Sequence, residues 1–332
     1  MDKKKEVSIL ELAEKLEGVN VHINKDFLSH LLIGASGNQK PHCDFKFISK
    51  LRMKPTDKYL SNTIYGWVKY GKSIPLKKLS ILIKLSGVGV EEVERNINFI
   101  STGRTKLLFC SPIKIDEKMG SIVGHVLGDG SIDKKYRQVF FSNSNKELLK
   151  EFANYMECIF NVKPRIWMQK DPEFGNTHWD KRLLSIDELA DGRNGGLFYP
   201  TICGLILNVI FDNFAVGKDK EMTSKIIKSS KEFKRGLIRA FYDDESSVGK
   251  KNIRLFQDKK DMLNIFRDIL EEFDILASNV KCYIKRDKKR FYFDIFKKSN
   301  FLKFRNEIGF TSSQKNKKLN DLCIIKNFKN SR

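Results

Sequence analysis

Two stretches of the chain, Ile122–Gly130 (IVGHVLGDG) and Ile238–Ser246 (IRAFYDDES), decide the fold. Each is an apolar helical run that stops on acids and small residues. In the first, Gly120, Gly124 and Gly128 recur at every fourth residue, and in the second Gly236, Ala240 and Asp244 hold the same relative places. Residues four apart lie on one face of an α-helix, so this spacing predicts a face nearly free of side chains. A second helix can approach such a face to backbone distance, and the two helices are expected to pack on each other.

The acids make the pair chemical. Asp129 and Glu245 fall at matching positions where their helices end. A carboxylate there is opposed by the helix dipole by about 0.3–1 kcal/mol, and two carboxylates brought together repel. Hard divalent cations such as Mg²⁺ take carboxylate and carbonyl oxygens, and the last carbonyls of a helix have no internal partner. A bound metal removes both penalties, with Asp129 and Glu245 as ligands and Gly128 and Asp244, the residues just before them, as further candidates. Taken alone, the first copy also reads as a helix ending in an Asp-Gly turn. A second copy in the same phase favours the metal.

With these residues in view, GHVLGDGSI (Gly124–Ile132) and LIRAFYDDESSV (Leu237–Val248) resemble the two signature motifs of single-chain LAGLIDADG homing endonucleases. The resemblance covers roughly residues 115 to 325 and includes the flanking pattern. It implies an α+β fold: a duplicated αββαββα unit whose motif helices pack in parallel and whose antiparallel sheets form one saddle. It also implies that Asp129 and Glu245, in the eighth motif place, bind the catalytic metal, Mg²⁺ (or Mn²⁺). Leu127 departs from the common acid in the sixth place, and Ser246 stands where glycine is usual in the ninth. Serine takes positive φ less readily than glycine, so a left-handed turn is disfavoured at Ser246.

Composition agrees with a nucleic-acid partner. The 332 residues include 62 Lys and Arg against 41 Asp and Glu, a net charge of +21, while 41% are hydrophobic. Such a positive balance suits phosphate backbones, although a membrane surface offers the same attraction. The longest apolar run, Ile202–Phe211, contains Asn208 and falls short of the roughly 20 residues of a spanning helix. The N-terminus, MDKKKEVSILEL, lacks the apolar core of a signal peptide. Cys43, Cys110, Cys158, Cys203, Cys282 and Cys323 show no CxxC pairing, so they read as reduced, in a cytoplasmic protein without a zinc site.

In chain order, residues 1–100 are expected to be a small all-α domain that opens with an amphipathic helix (Val7, Leu10, Leu12, Ala13, Leu16). Tyr59–Tyr70 (YLSNTIYGWVKY), Gly71 and Ile74–Val88 then resemble a repressor-type helix-turn-helix, with Asn62, Lys69 and Tyr70 on its DNA side; a plain helical bundle is the alternative. Residues 101–115 read as a linker, 116–220 as the first half and 221–332 as the second. The first half is expected to contain a hairpin over Ser131–Asn143, a helix over Lys146–Phe160, strands over Val162–Lys170 and Arg182–Ile186, and a helix over Tyr199–Phe211. The second half repeats that order (Ser247–Gln257, Asp261–Phe273, Asn279–Arg286, Arg290–Lys297, Asn300–Ile308), with a closing helix over Lys315–Leu322.

Alternate strand residues should present one face to a DNA groove, where Arg, Lys, Gln and Asn match base edges. The first half offers Lys134, Lys135, Arg137, Gln138, Arg165, Trp167 and Gln169, and the second Lys250, Lys251, Arg254, Lys281, Tyr283, Lys285 and Arg286. The resemblance adds Asn143 and Gln257, which order water near the metals in the family but read singly as capping amides. It adds a lysine after each half's last helix, Lys218 or Lys220 in GKDK and Lys315 in QKNKK, where a cation stabilises transition-state charge. His125 has no second ligand at metal spacing and reads as a core or interface residue. The chain is expected to be a free-standing monomer rather than a splicing intein, lacking a Cys or Ser in first place and a terminal His-Asn. Metal-dependent cleavage of double-stranded DNA at a long, partly asymmetric site is the function implied. A non-cleaving DNA-binding regulator and an RNA maturase that assists intron splicing are the alternatives.

Overall fold

In the computed structural model the motif stretches are the helices Glu117–Leu127 and Lys231–Glu245, which lie against each other. The residues described are 6–37, 45–51, 60–103, 105–108, 112–135, 137–169, 179–217, 219–285 and 287–324. The helices meet through their small residues. A methyl group on Gly120 would stand 1.9 Å from the Phe233 carbonyl oxygen, and one on Gly236 1.9 Å from that of Glu117. On Gly124 it would stand 2.5 Å from the carbonyl oxygen of Leu237. Each helix begins on a side-chain cap: Asp116 accepts from the Met119 N–H, and Ser230 from that of Phe233.

Each helix runs into a strand that starts a sheet. In the first half the order is Trp179–Leu183, Arg165–Gln169, Gly195–Phe198, Val139–Asn143, Gly130–Ile132, Ala215–Val216, Asp219–Lys220. In the second it is Ser246–Val248, Ile253–Gln257, Lys288–Ile295, Lys281–Lys285. Val139 and Phe141, like Ile253 and Leu255, are buried, while Phe140 and Arg254 between them are half-buried. The inner faces carry the helices Lys146–Phe160 and Lys260–Glu271. The sequence reading missed Gly195–Phe198, which takes the place of the long second-half strand Lys288–Ile295; its glycines look like a turn, but Gly195 fits under Leu149, where a methyl would be 2.8 Å from a Leu149 carbon.

The N-terminal region is not all-α. Helices Lys25–Ser36, Phe45–Lys50, Leu60–Tyr70 and Leu76–Ser86 are present, but they accompany a four-stranded antiparallel sheet of Ile74–Pro75, Val19–Ile23, Ile97–Thr102 and Thr105–Leu108. Val19, Val21 and Ile23 are buried and alternate with half-buried residues, a period of two that suits β-branched side chains. The helix expected over Val7–Leu16 is instead the strand Glu6–Val7 followed by turns. The expected linker is structured: Thr105–Leu108 forms a hairpin with Ile97–Thr102, which runs into it, and Ile113–Lys114 pairs with Glu6–Val7.

Candidate functional site

Asp129 follows the first motif helix, and Glu245 is the last residue of the second. Both carboxyls titrate above their ordinary range. Asp129 is pushed up to about 7 by burial and by the charges of Asp244 and Glu245, partly offset by Lys220 and His125. Glu245 is raised by burial, opposed by Lys220, and raised further by Asp244 and Asp258. The Asn143 side-chain amide donates to Asp129 Oδ2 at 3.0 Å and to Asp244 Oδ1 at 3.4 Å. Gln257, its counterpart, accepts instead from the next backbone N–H, that of Asp258, at 2.7 Å.

A lysine closes the end of each helix. Lys220 Nζ donates to the Gly128 carbonyl, and Lys315 Nζ donates to the carbonyls of Asp243 at 2.6 Å, Ser246 at 2.7 Å and Tyr242 at 3.0 Å. Cations are favoured at this end of a helix dipole. Burial lowers the pKa of both lysines, and nearby acids oppose it: Glu245, Asp129 and Asp244 for Lys220, and Asp243 first for Lys315. Lys218 lies outside the described residues, and Lys220 of the GKDK run lies close to the acids Glu245, Asp129 and Asp244. Ser246 has φ −112° and ψ 161°, so the ninth motif place demands no positive φ. Asp243 accepts from the Thr311 and Ser312 N–H groups at 2.8 and 3.1 Å and ties the closing segment to the motif helix.

Asp244 differs from the role expected for it. Its side chain is fully buried, and Oδ2 lies 3.0 Å from His125 Nδ1 and 3.4 Å from the Asp129 N–H. The other ring nitrogen, His125 Nε2, is 3.3 Å from Glu151 Oε2. A carboxylate only accepts, so both nitrogens donate and the ring is an imidazolium. Burial disfavours that charge, but Asp244 and Glu151 more than offset it and raise the pKa to about 10. The Asp244 carboxylate is therefore a brace between the motif helices, and one lone pair of the Gly128 carbonyl is already taken. Asp129 and Glu245 remain as donors. Two carboxylates with raised pKa values fit a hard cation that completes its shell with water and phosphate oxygens. Among the described residues no group of three or more His, Cys, Asp and Glu forms a fuller cage.

The sheets place most of the expected groove residues outward. Register puts Arg165, Trp167 and Gln169 on the same side as Phe140 and Phe198, and Lys281 and Tyr283 on the side of Arg254 and Tyr292. Lys134, Lys135, Lys250 and Lys251 are exposed in hairpin turns. Gln138 lines the cleft beside Ser131, and Arg137, with φ 54°, turns the hairpin. Arg254 is engaged by a residue the sequence reading missed: its guanidinium grips Asp294 at 2.7 and 3.0 Å. Lys69 and Tyr70 are exposed at the end of Leu60–Tyr70, with Lys69 Nζ 5.1 Å from the Tyr65 ring centre. The side chains of Asn62 and Lys285, and Arg286 altogether, lie outside the described residues.

No helix among the described residues is long and apolar enough to cross a membrane. The replication factor C small subunit of Methanocaldococcus jannaschii is 27% identical over 216 residues, 64% of this chain and 10% of that protein. That of Thermococcus kodakarensis is 22% identical over 211 residues, 62% of this chain and 21% of that protein. The chain thus spans a minor part of the curated relatives it matches. Among solved structures, the homing endonuclease I-DmoI in complex with DNA and Mn aligns over 59% of this chain and 98% of its own, at 15% identity and a TM-score of 0.43. Full-length DUF199/WhiA aligns over 66% of this chain and 63% of its own, at 13% identity and a TM-score of 0.42. The LAGLIDADG-like domain matches residues 116–194 and 232–309, each span containing one motif helix with its following strands and helix, and in this duplicated region the chain belongs to the LAGLIDADG family.

Proposed function

We propose that the chain is a site-specific double-strand DNA endonuclease that acts as a monomer in the cytoplasm with Mg²⁺ or Mn²⁺. The observation that carries this reading is the pairing of Asp129 and Glu245 at adjoining helix ends, both carboxyls raised first by burial and then by neighbouring acids, Asp244 and Glu245 for Asp129 and Asp244 and Asp258 for Glu245. Asp129 and Glu245 would hold the metal, which supplies Lewis-acid polarisation of the scissile phosphate and a more acidic water. Asn143 orients Asp129 through its 3.0 Å hydrogen bond. Lys220 and Lys315, fixed at the helix ends, place positive charge where the phosphodiester gains negative charge in the transition state. The outward residues Arg165, Trp167, Gln169, Lys281 and Tyr283 follow the groove, and Leu60–Tyr70 adds a second contact as a recognition helix.

A DNA-binding regulator that does not cut is favoured by one feature, the occupation of Gly128 and Asp244 by Lys220 and His125. Cleavage and binding measured together on a plasmid carrying the flanking genomic DNA separate the two readings. Asp129→Asn and Glu245→Gln should each lose cleavage by several orders of magnitude and keep or gain affinity, because a carboxylate that repels phosphate has gone. Unimpaired cutting by either variant refutes the assigned site, and a parent that binds without cutting in Mg²⁺ or Mn²⁺ is the regulator.

A further inference from the structure

The outer face of the first sheet is apolar at its centre although the chain carries +21 charges. Phe140 stands directly opposite Phe198, with ring centres 4.8 Å apart. Trp179 sets its ring edgewise to both, at 5.4 and 5.7 Å. Gly196 lies beneath it, and a methyl there would come within 2.7 Å of the indole. All three rings are only half-buried. They line a cavity of about 710 Å³ that passes Gly130 and Ser131, the two residues after Asp129 in the chain, and reaches Lys220 and the second-half residues Gln257 and Lys259. The second sheet is built differently. Its outer cluster of Phe256, Tyr283 and Tyr292 carries two hydroxyls, and the Arg254 guanidinium sits 4.1 Å over Tyr292.

Half-buried rings that line a cleft offer an apolar group of a partner a place to pack. Around it Arg165, Lys181, Arg182 and Lys259 are exposed cations, suited to the phosphates that flank a groove. The major groove offers an apolar cluster one matching group, the 5-methyl of thymine. We infer that Phe140, Phe198 and Trp179 read thymine methyl groups in the half-site under the first sheet, while the second sheet reads its half-site through hydrogen bonds and charge. This rests on the DNA-binding part of the proposal above and adds a chemical asymmetry to the site. Packing between the rings alone would stabilise the sheet, but it makes no distinction between thymine and uracil.

The test needs binding, not cleavage. Duplexes retained by the full chain from a random pool are sequenced, and the best is remade with deoxyuridine for thymine in one half at a time. Each methyl that is buried contributes about 0.8 kcal/mol, so each one lost from the first half-site should weaken binding about four-fold. The same replacement in the other half should have little effect. Phe140→Ser combined with Phe198→Ser, and separately Phe198→Leu as a milder change, should lower the discrimination, the former to none; the half whose sensitivity disappears is the one under the first sheet. Selected sites without thymine in either half, indifference to deoxyuridine, or full discrimination in the double variant would each overturn the inference while leaving the endonuclease reading intact. Failure to retain any duplex would overturn both.

Discussion

Replacing His125 by Phe tests the buried brace between the motif helices, and Phe is what the second motif carries in the same place, at Phe241. The imidazole is fully buried between Asp244, also fully buried, and Glu151, whose side chain is 10% exposed. Removing one partner of a buried ion pair costs about 3–5 kcal/mol because a charge is left uncompensated. Glu151 keeps hydrogen bonds from Thr311 and Tyr155, so most of the loss falls on Asp244. His125→Phe should therefore cost about 3–5 kcal/mol, a large part of the roughly 5–15 kcal/mol of a typical domain. Adding Asp244→Gly, which copies Gly128 of the first motif, removes the orphaned charge and should restore at least about half of the loss. Urea unfolding of the parent, both single variants and the double variant at pH 7 gives the coupling. The pKa of His125 rises from 6.5 to about 10 on folding, so its stabilisation is complete below pH 6.5 and is lost as pH climbs towards 10. The parent's advantage over the double variant should shrink across that window. A single variant that costs less than about 1 kcal/mol, or additive effects in the cycle, would refute the brace.

Three further outcomes follow from the geometry. Gly120→Ala should destabilise by about 1–3 kcal/mol or more in thermal unfolding, because its methyl would stand 1.9 Å from the Phe233 carbonyl oxygen and must drive the motif helices apart. Asp129→Asn should raise stability above neutral pH: the carboxyl's folded pKa of about 7 exceeds its ordinary 3.8, so its contribution is present below 3.8 and lost as pH rises through 7. Melting curves should show the Asn variant's lead growing across that interval and level above it, and a lead that is constant with pH would contradict the shift. DNA affinity should fall by on the order of 10³ or more between about 50 and 200 mM salt if several phosphates are neutralised, which equilibrium binding at the two concentrations will show.

How far the sequence reaches is visible residue by residue. Helical spacing of Gly120, Gly124 and Gly236 was sufficient for the close helix pair, and the two-residue period of Arg165, Trp167 and Gln169, or of Lys281 and Tyr283, was sufficient to put each set on one face of its strand. Both are local periodicities, set by backbone geometry within one element. Val19, Val21 and Ile23 carry the same signal, but the apolar spacing of Val7 to Leu16 just upstream also fits a helix, and only the pairing with Ile97–Thr102 makes the sheet evident. The site depends on groups that local spacing does not relate. His125 meets Asp244 from 119 positions away, and Arg254 finds Asp294 from 40. Within the short run GKDK, it was packing that brought Lys220 to Gly128 and the acids. Sequence by itself determined which side chains share a face, because a period needs only neighbouring backbone; the tertiary structure decided which charges are matched, because that depends on where two distant elements are buried together.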